Sequence, residues 1–141
     1  KTQVQENVPG LDFITRLRPV TYHLDIHKQN EMCFLGKKDL GEWDGKYDIE
    51  QKQFTGFIAQ EVEQAAKAVG YDFSGVEKAA DEVGMYSVRY SDFVMPLVKA
   101  VQEQQIEIEQ LKTENERLKK IEAQLDKITA ALHSEGFTVE K

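Results

Sequence analysis

Apolar and polar residues follow two different rules on either side of Ser91. Before it, short apolar runs alternate with glycines and aromatic residues. After it, glycine and proline vanish apart from Pro96, until Gly136. The first part therefore predicts mixed α and β structure, and the second a single long helix. Asn7 is placed to cap a short helix starting at Pro9, with Leu11, Ile14 and Leu17 on one face and Pro19 ending it. From Val20 to His27 the alternation is strict, with Val20, Tyr22, Leu24 and Ile26 on one face and Thr21, His23, Asp25 and His27 on the other. That pattern predicts a half-buried strand. Residues 28–50 are polar, contain Gly36, Gly41 and Gly45, and predict a loop or hairpin excursion. Phe54 to Ile58 predicts a second strand, followed by a helix from about Gln60 to Val69 that Gly70 stops. Residues 71–84 carry weak signals. Met85 to Tyr90 predicts a third short strand, and Ser91 is placed to cap the long helix. The expected organisation is an α+β head over 1–92, a helical stalk over 93–134 and a tail over 135–141.

The stalk carries heptads. With Ile108 at position a, Val94 and Val101 also fall at a, Leu97, Leu111 and Leu118 at d, Gln104 at d and Asn115 at a. Beyond Leu118 the stripe steps by three residues to Ile121 and continues through Leu125, Ile128 and Leu132. Such a stammer locally overwinds a supercoil. The sustained stripe predicts a coiled coil and not merely an amphipathic surface helix. A helix from Val94 to Leu132 would be roughly 58 Å long, far beyond what the head could cover. Each well-buried Leu or Ile contributes about 1.5–3 kcal/mol, so the seam is expected to meet other chains.

Charge then selects the orientation. Glu107 and Glu114 fall at g, and Lys112 and Lys119 at e. In a parallel, in-register bundle, Glu107 lies beside Lys112 and Glu114 beside Lys119 of a neighbour, and both pairs are opposite in sign. Strand number stays open on this evidence. Val or Ile at a with Leu at d and Asn115 at a suit two strands, whereas Leu at a and Ile at d beyond the stammer suit three or four.

Composition excludes several functions. The chain has 141 residues and a formal charge of −7, with 25 acidic against 18 basic side chains. A phosphate backbone would be repelled, so no nucleic-acid partner is expected, and the stretch before the zipper lacks the basic residues of a DNA-binding zipper. No apolar run approaches the ~18 residues of a membrane helix, and no membrane partner is expected. A start at lysine suggests a fragment of a longer chain. The single Cys33 excludes an internal disulfide and reads as a small apolar side chain. His23, Asp25 and His27 on one strand face make a divalent metal conceivable, but they read as the solvent face of the strand; no metal or cofactor is expected. Ser87, Ser91 and Ser134 have no His or Lys arrangement that suggests a nucleophile.

Three segments carry a resemblance: Leu17-Arg18-Pro19-Val20-Thr21-Tyr22, then Gly56-Phe57-Ile58-Ala59-Gln60-Glu61-Val62, then Val88-Arg89-Tyr90-Ser91-Asp92-Phe93-Val94-Met95-Pro96-Leu97-Val98 running into the zipper. In this order they resemble the intramolecular chaperone domain of endosialidase, found also at the ends of phage tail fibres and in myelin regulatory factor. Physically, the Arg-Pro step punctuates helix and strand, and Gly56 lets a strand approach a neighbour closely. Phe57, Ile58 and Val62 are expected in the core, with Tyr90 and Phe93 packing the head onto the top of the stalk.

The resemblance implies a homotrimer that sets the register of a β-rich fibre upstream in the same polypeptide, in a phage virion or on a bacterial surface. It further implies release by self-cleavage before a serine, in a Ser-Asp-x-x-x-Lys pattern. Lys1 matches the lysine of that Ser-Lys dyad, and the serine is expected just upstream of it. Two alternatives remain: a permanent trimerisation module of a surface or adhesive fibre, and a freestanding coiled-coil adaptor.

Overall fold

The computed structural model describes residues 1–34, 41, 43–78 and 85–134. Its order is α1 (Leu11–Ile14), β1 (Val20–Tyr22), α2 (Ile26–Phe34), a 3-10 turn (Asp48–Gln51), β2 (Phe54–Gly56), α3 (Ala59–Ala68), β3 (Val76–Glu77), β4 (Ser87–Val88), a second 3-10 turn (Tyr90–Phe93) and α4 (Val94–Ser134). The architecture is α+β with a long C-terminal helix. Residues 35–40, 42, 79–84 and the expected tail at 135–141 lie outside the described residues, as does the side chain of Cys33. The chain divides into two compact units, Lys1–Ala100 and Val101–Lys141.

Two small antiparallel sheets frame the first unit. β1 pairs with β2 through Val20↔Gly56, Thr21↔Thr55 and Tyr22↔Phe54. β3 pairs with β4 through Val76↔Val88 and Glu77↔Ser87. Between them lies an aromatic core. Phe13 is fully buried and contacts Phe73 at 5.0 Å between ring centroids, and Phe73 meets Phe93 edge-on at 4.7 Å. Val62, Ala65 and Ala66 of α3 close it, with Ile14, Leu17, Phe57, Val69 and Val88 around the edge. Aromatic pairs of this kind add about 0.5–1.5 kcal/mol each beyond their buried area.

Helix α3 follows its sequence closely. Ala59, Val62, Ala65 and Ala66 form its buried face, Glu61 sits in its first turn and Lys67 in its last, both favourable to the helix dipole. At its end, the Tyr71 N–H reaches the Ala66 carbonyl at 2.9 Å and the Gly70 N–H the Lys67 carbonyl at 3.1 Å. Those two bonds require the left-handed backbone that Gly70 adopts, with φ of +65°.

Four expectations are corrected. First, α1 starts at Leu11 behind Gly10, without a side-chain cap; Asn7 instead donates to Gln5. Its deepest residue is Phe13, which lies off the face drawn through Leu11, Ile14 and Leu17.

Second, the strand that starts at Val20 ends at Tyr22, and Ile26 opens a helix where alternation predicted more strand and then a loop. The cause is capping. Asp25 Oδ1 accepts the Lys28 N–H at 2.8 Å, and Glu50 Oε1 accepts those of Ile26 at 2.7 Å and His27 at 3.1 Å. Three of the four orphan donors of the first turn are thereby satisfied.

Third, Ser91 does not cap α4. Its hydroxyl turns to Asp92 within a 3-10 turn, and the helix starts at Val94. Fourth, the strand expected over Met85 to Tyr90 is reduced to Ser87 and Val88.

Helix α4 spans 41 residues, about 61 Å. Pro96 is tolerated because it lies in the first turn, where its missing N–H would have no helical partner. Phe93, Pro96 and Ala100 are buried in the first unit. In the single chain the heptad residues Leu97, Val101, Ile108, Leu111, Leu118, Ile121, Leu125, Ile128 and Leu132 are all exposed, Val101 by 62%.

Candidate functional site

The pairing of β1 with β2 and the second 3-10 turn bring the three motif segments into one place. Arg18, at the entry to β1, forks onto Glu61 in the first turn of α3: Nε donates to Oε2 at 3.0 Å and a terminal nitrogen to Oε1. This two-point geometry suits a guanidinium and not an ammonium group. The hydrogen bond from Arg18 holds the Glu61 carboxyl below its usual range, with charge attraction assisting and partial desolvation opposing. The guanidinium is raised in turn by the same bond.

Register does the rest. Pairing of Val20 with Gly56 sets the end of β2, after which Phe57 turns inward against Phe93 at 5.2 Å. The Tyr90 hydroxyl accepts the Phe57 N–H at 3.0 Å, and the two rings stack at 5.9 Å. A methyl built on Gly56 would overlap the Tyr90 hydroxyl and press on Tyr22 Cε1 at 3.2 Å. Glycine is required there by close approach, as the sequence led one to expect. Ile58, expected in the core, is 41% exposed because it precedes α3 and faces outward. With Tyr22, Met32, Met85, Tyr86 and Tyr90, it lines an open groove of about 510 Å³. Gln60 lies on the same rim, exposed. Pro19 is exposed, one residue before the strand it introduces.

The third segment is tied down by Arg89. Its guanidinium donates to the Ser74 carbonyl and pairs with Glu77 at 2.7 Å and Asp92 at 3.6 Å. Asp92 accepts the Ser74 hydroxyl at 2.8 Å, which is the chief reason its carboxyl lies below the usual range. These carboxylates are committed to positioning the 3-10 turn.

Elsewhere, Asp25, His27 and Glu50 present ligand-type atoms within 4.8 Å of one another. The grouping differs from the His23, Asp25 and His27 face considered from sequence, because the strand ends before it. His23 Nδ1 instead lies 2.8 Å from the Glu50 carbonyl, and His27 Nδ1 lies 2.9 Å from Glu50 Oε1. The His27 ring stacks on Tyr47 at 3.7 Å. With Asp25 Oδ1 and Glu50 Oε1 occupied by backbone donors, the cluster is accounted for as a helix cap. Ser87, Ser91 and Ser134 donate to Glu77, Asp92 and the Ala131 carbonyl. Lys1 is exposed, in a stretch before α1 that is neither helix nor strand. Sequence reasoning missed the Glu50 cap and the Arg18–Glu61 fork, since neither has a local signature.

The α+β head, held by contacts between the motif segments, leads into a long helix whose apolar stripe is exposed in the single chain. Residues 1–71 match the family model described as chaperone of endosialidase, and the chain belongs to that family. The match takes in Lys1, the Arg18-Pro19 step and the Gly56 to Val62 segment; the Val88 to Val98 segment lies beyond it. No curated protein and no solved structure matches the chain. Family membership supports a chaperone role. No helix among the described residues is long and apolar enough to cross a membrane.

Proposed function

We propose that this chain is the intramolecular chaperone of a longer fibre polypeptide of tailspike or tail-fibre type, in a phage virion or on a bacterial surface. Three copies associate through α4 as a parallel coiled coil, hold a β-rich fibre in register, and are released by one self-cleavage. The observation that carries it is the family match across Lys1 and the first two motif segments, which the Arg18–Glu61 fork joins. The exposed stripe from Leu97 to Leu132 supports the assembly step, because apolar area of that extent on a single chain calls for a partner.

Cleavage rests on Lys1 and a serine upstream of it. A serine hydroxyl becomes a competent nucleophile when a base takes its proton, and a lysine does so only when neutral. An ordinary lysine titrates near ~10.4, and burial or cationic neighbours lower it. Lys1 is exposed in the single chain, so its burial must come from assembly. Cutting is thereby coupled to correct trimerisation.

The test is a precursor that carries the upstream serine and a piece of fibre. It should yield two bands, with this domain the smaller. Lys1→Ala should leave the precursor trimeric and uncut, and Ile108→Asp with Leu111→Asp should block cutting by preventing assembly. Cutting by the Lys1→Ala precursor would remove Lys1 from the mechanism, and cutting by a monomeric stalk variant would refute the coupling. The exposure of Lys1 also favours a second reading, a permanent trimerisation module that never cuts. A wild-type precursor that trimerises and stays whole would establish it.

A further inference from the structure

Helix α4 lacks the local signals that start a helix. Phe93, the residue before it, has no polar side-chain atom, and its first turn holds no acidic residue. Val94, Val98 and Val101, with Pro96 among them, make this opening stretch a poor helix former. From Gln102 onward glutamate, glutamine, lysine and leucine dominate, and these favour helix. Forming the first turn is the costly step for any helix. At the place where α4 must begin, its own sequence contributes least.

The head makes up the difference. The 3-10 turn that leads into α4 is held from two sides. On one side, the Tyr90 hydroxyl accepts the Phe57 N–H at 3.0 Å, just beyond β2. On the other, the Arg89 N–H reaches the Gly75 carbonyl at 2.8 Å and its guanidinium donates to the Ser74 carbonyl. Asp92 accepts the Ser74 hydroxyl there, at 2.8 Å. Phe93, Pro96 and Ala100 are buried, and the compact unit that contains the head runs as far as Ala100. About two turns of α4 therefore belong to the head. The same two turns leave Val94 and Leu97 each 46% exposed, and these are the first a and d positions of the heptad frame.

We infer that the head is the folding template of these two turns, so that Val94 and Leu97 are offered to a second copy of this chain only by a folded head. Assembly is thereby conditional on head folding, and the stalk closes from the head end toward Leu132. This rests on the coiled coil proposed above and adds an order of events to it.

Hydrogen exchange in the chain with Ile108→Asp and Leu111→Asp, which is expected to stay single, tests the template. The amides of Val98, Lys99 and Ala100 should exchange about as slowly as those of Val62 and Ala66 in α3. They should exchange at least ~10-fold more slowly than those of Ile121 and Leu125. Exchange at Val98 to Ala100 as fast as at Ile121 would overturn the inference. Sedimentation of a chain with an unfolded head tests the condition on assembly. Phe13→Asp puts a charge in the aromatic core and should weaken self-association about tenfold or more. Met95→Glu with Val98→Ala adds an acid in the first turn and a stronger helix former, both at exposed positions outside the a/d seam. Added to Phe13→Asp, this pair should restore most of the association. Full association of the Phe13→Asp chain, or a loss that the pair leaves untouched, would overturn the inference and leave the proposed function standing. A wild-type chain that stays single would overturn both.

Discussion

The Tyr90 hydroxyl rests on Gly56, accepting the N–H of the next residue, Phe57, at 3.0 Å. A turn just ahead of the long helix is thus read by the end of a strand in the head. Gly56→Ala should therefore destabilise the head by about 1–3 kcal/mol through overpacking. Tyr90→Phe removes the obstructing oxygen but leaves the Phe57 N–H without its acceptor. In a double-mutant cycle by chemical denaturation, Gly56→Ala should cost less in the Tyr90→Phe background than alone. Simple additivity would mean that the two residues do not touch.

The cap on α2 predicts a pH dependence. The His27 side chain chiefly, and then the backbone donors of His27 and Ile26, hold the Glu50 carboxyl below its usual value against partial desolvation. A carboxyl lowered on folding contributes stability that is complete above its unfolded value, about 4.3, and is lost as pH falls through the folded value. Amide resonances of Ile26 and His27 should report loosening of the first turn of α2 in that acid range. Glu50→Gln should abolish this transition at Ile26 and His27. Its persistence there would assign it to another group.

How much of this was legible in the sequence depended on the range of the interactions. The end of α3 was legible because Gly70 carries its own local signal, and Gly56 because close approach leaves few other residues possible. Residues 20–27 misled because their alternation is genuine as far as Tyr22. What converts the rest to helix is a pair of caps, one of them Glu50, distant in sequence. The Arg18–Glu61 fork was hidden for the same reason: each residue belonged to a motif, and nothing local joined them. Ser91 had the right chemistry for a cap, yet Asp92 beside it takes its hydroxyl. Phe13 was passed over because a helix of four residues is too short for periodicity to define its buried face.

Asn115 tests the heptad frame. In the single chain its Nδ2 donates to the Leu111 carbonyl at 3.0 Å, a bond it makes within its own helix. At an a position it would be desolvated in a coiled coil, which sacrifices stability and fixes register. Asn115→Ile should raise the melting temperature and broaden the range of oligomers formed. A lower melting temperature would mean that Asn115 lies outside the seam.

Everything proposed for α4 and for Lys1 depends on self-association of this chain, and sedimentation equilibrium measures that directly. At micromolar concentration the wild-type protein should behave as a single species of about three times 16.2 kDa. Ile108→Asp with Leu111→Asp should fall toward the single-chain mass with the head still folded, because neither residue belongs to the head's compact unit. A wild-type mass of 16.2 kDa across that range would contradict the assembly on which the proposed chaperone mechanism rests.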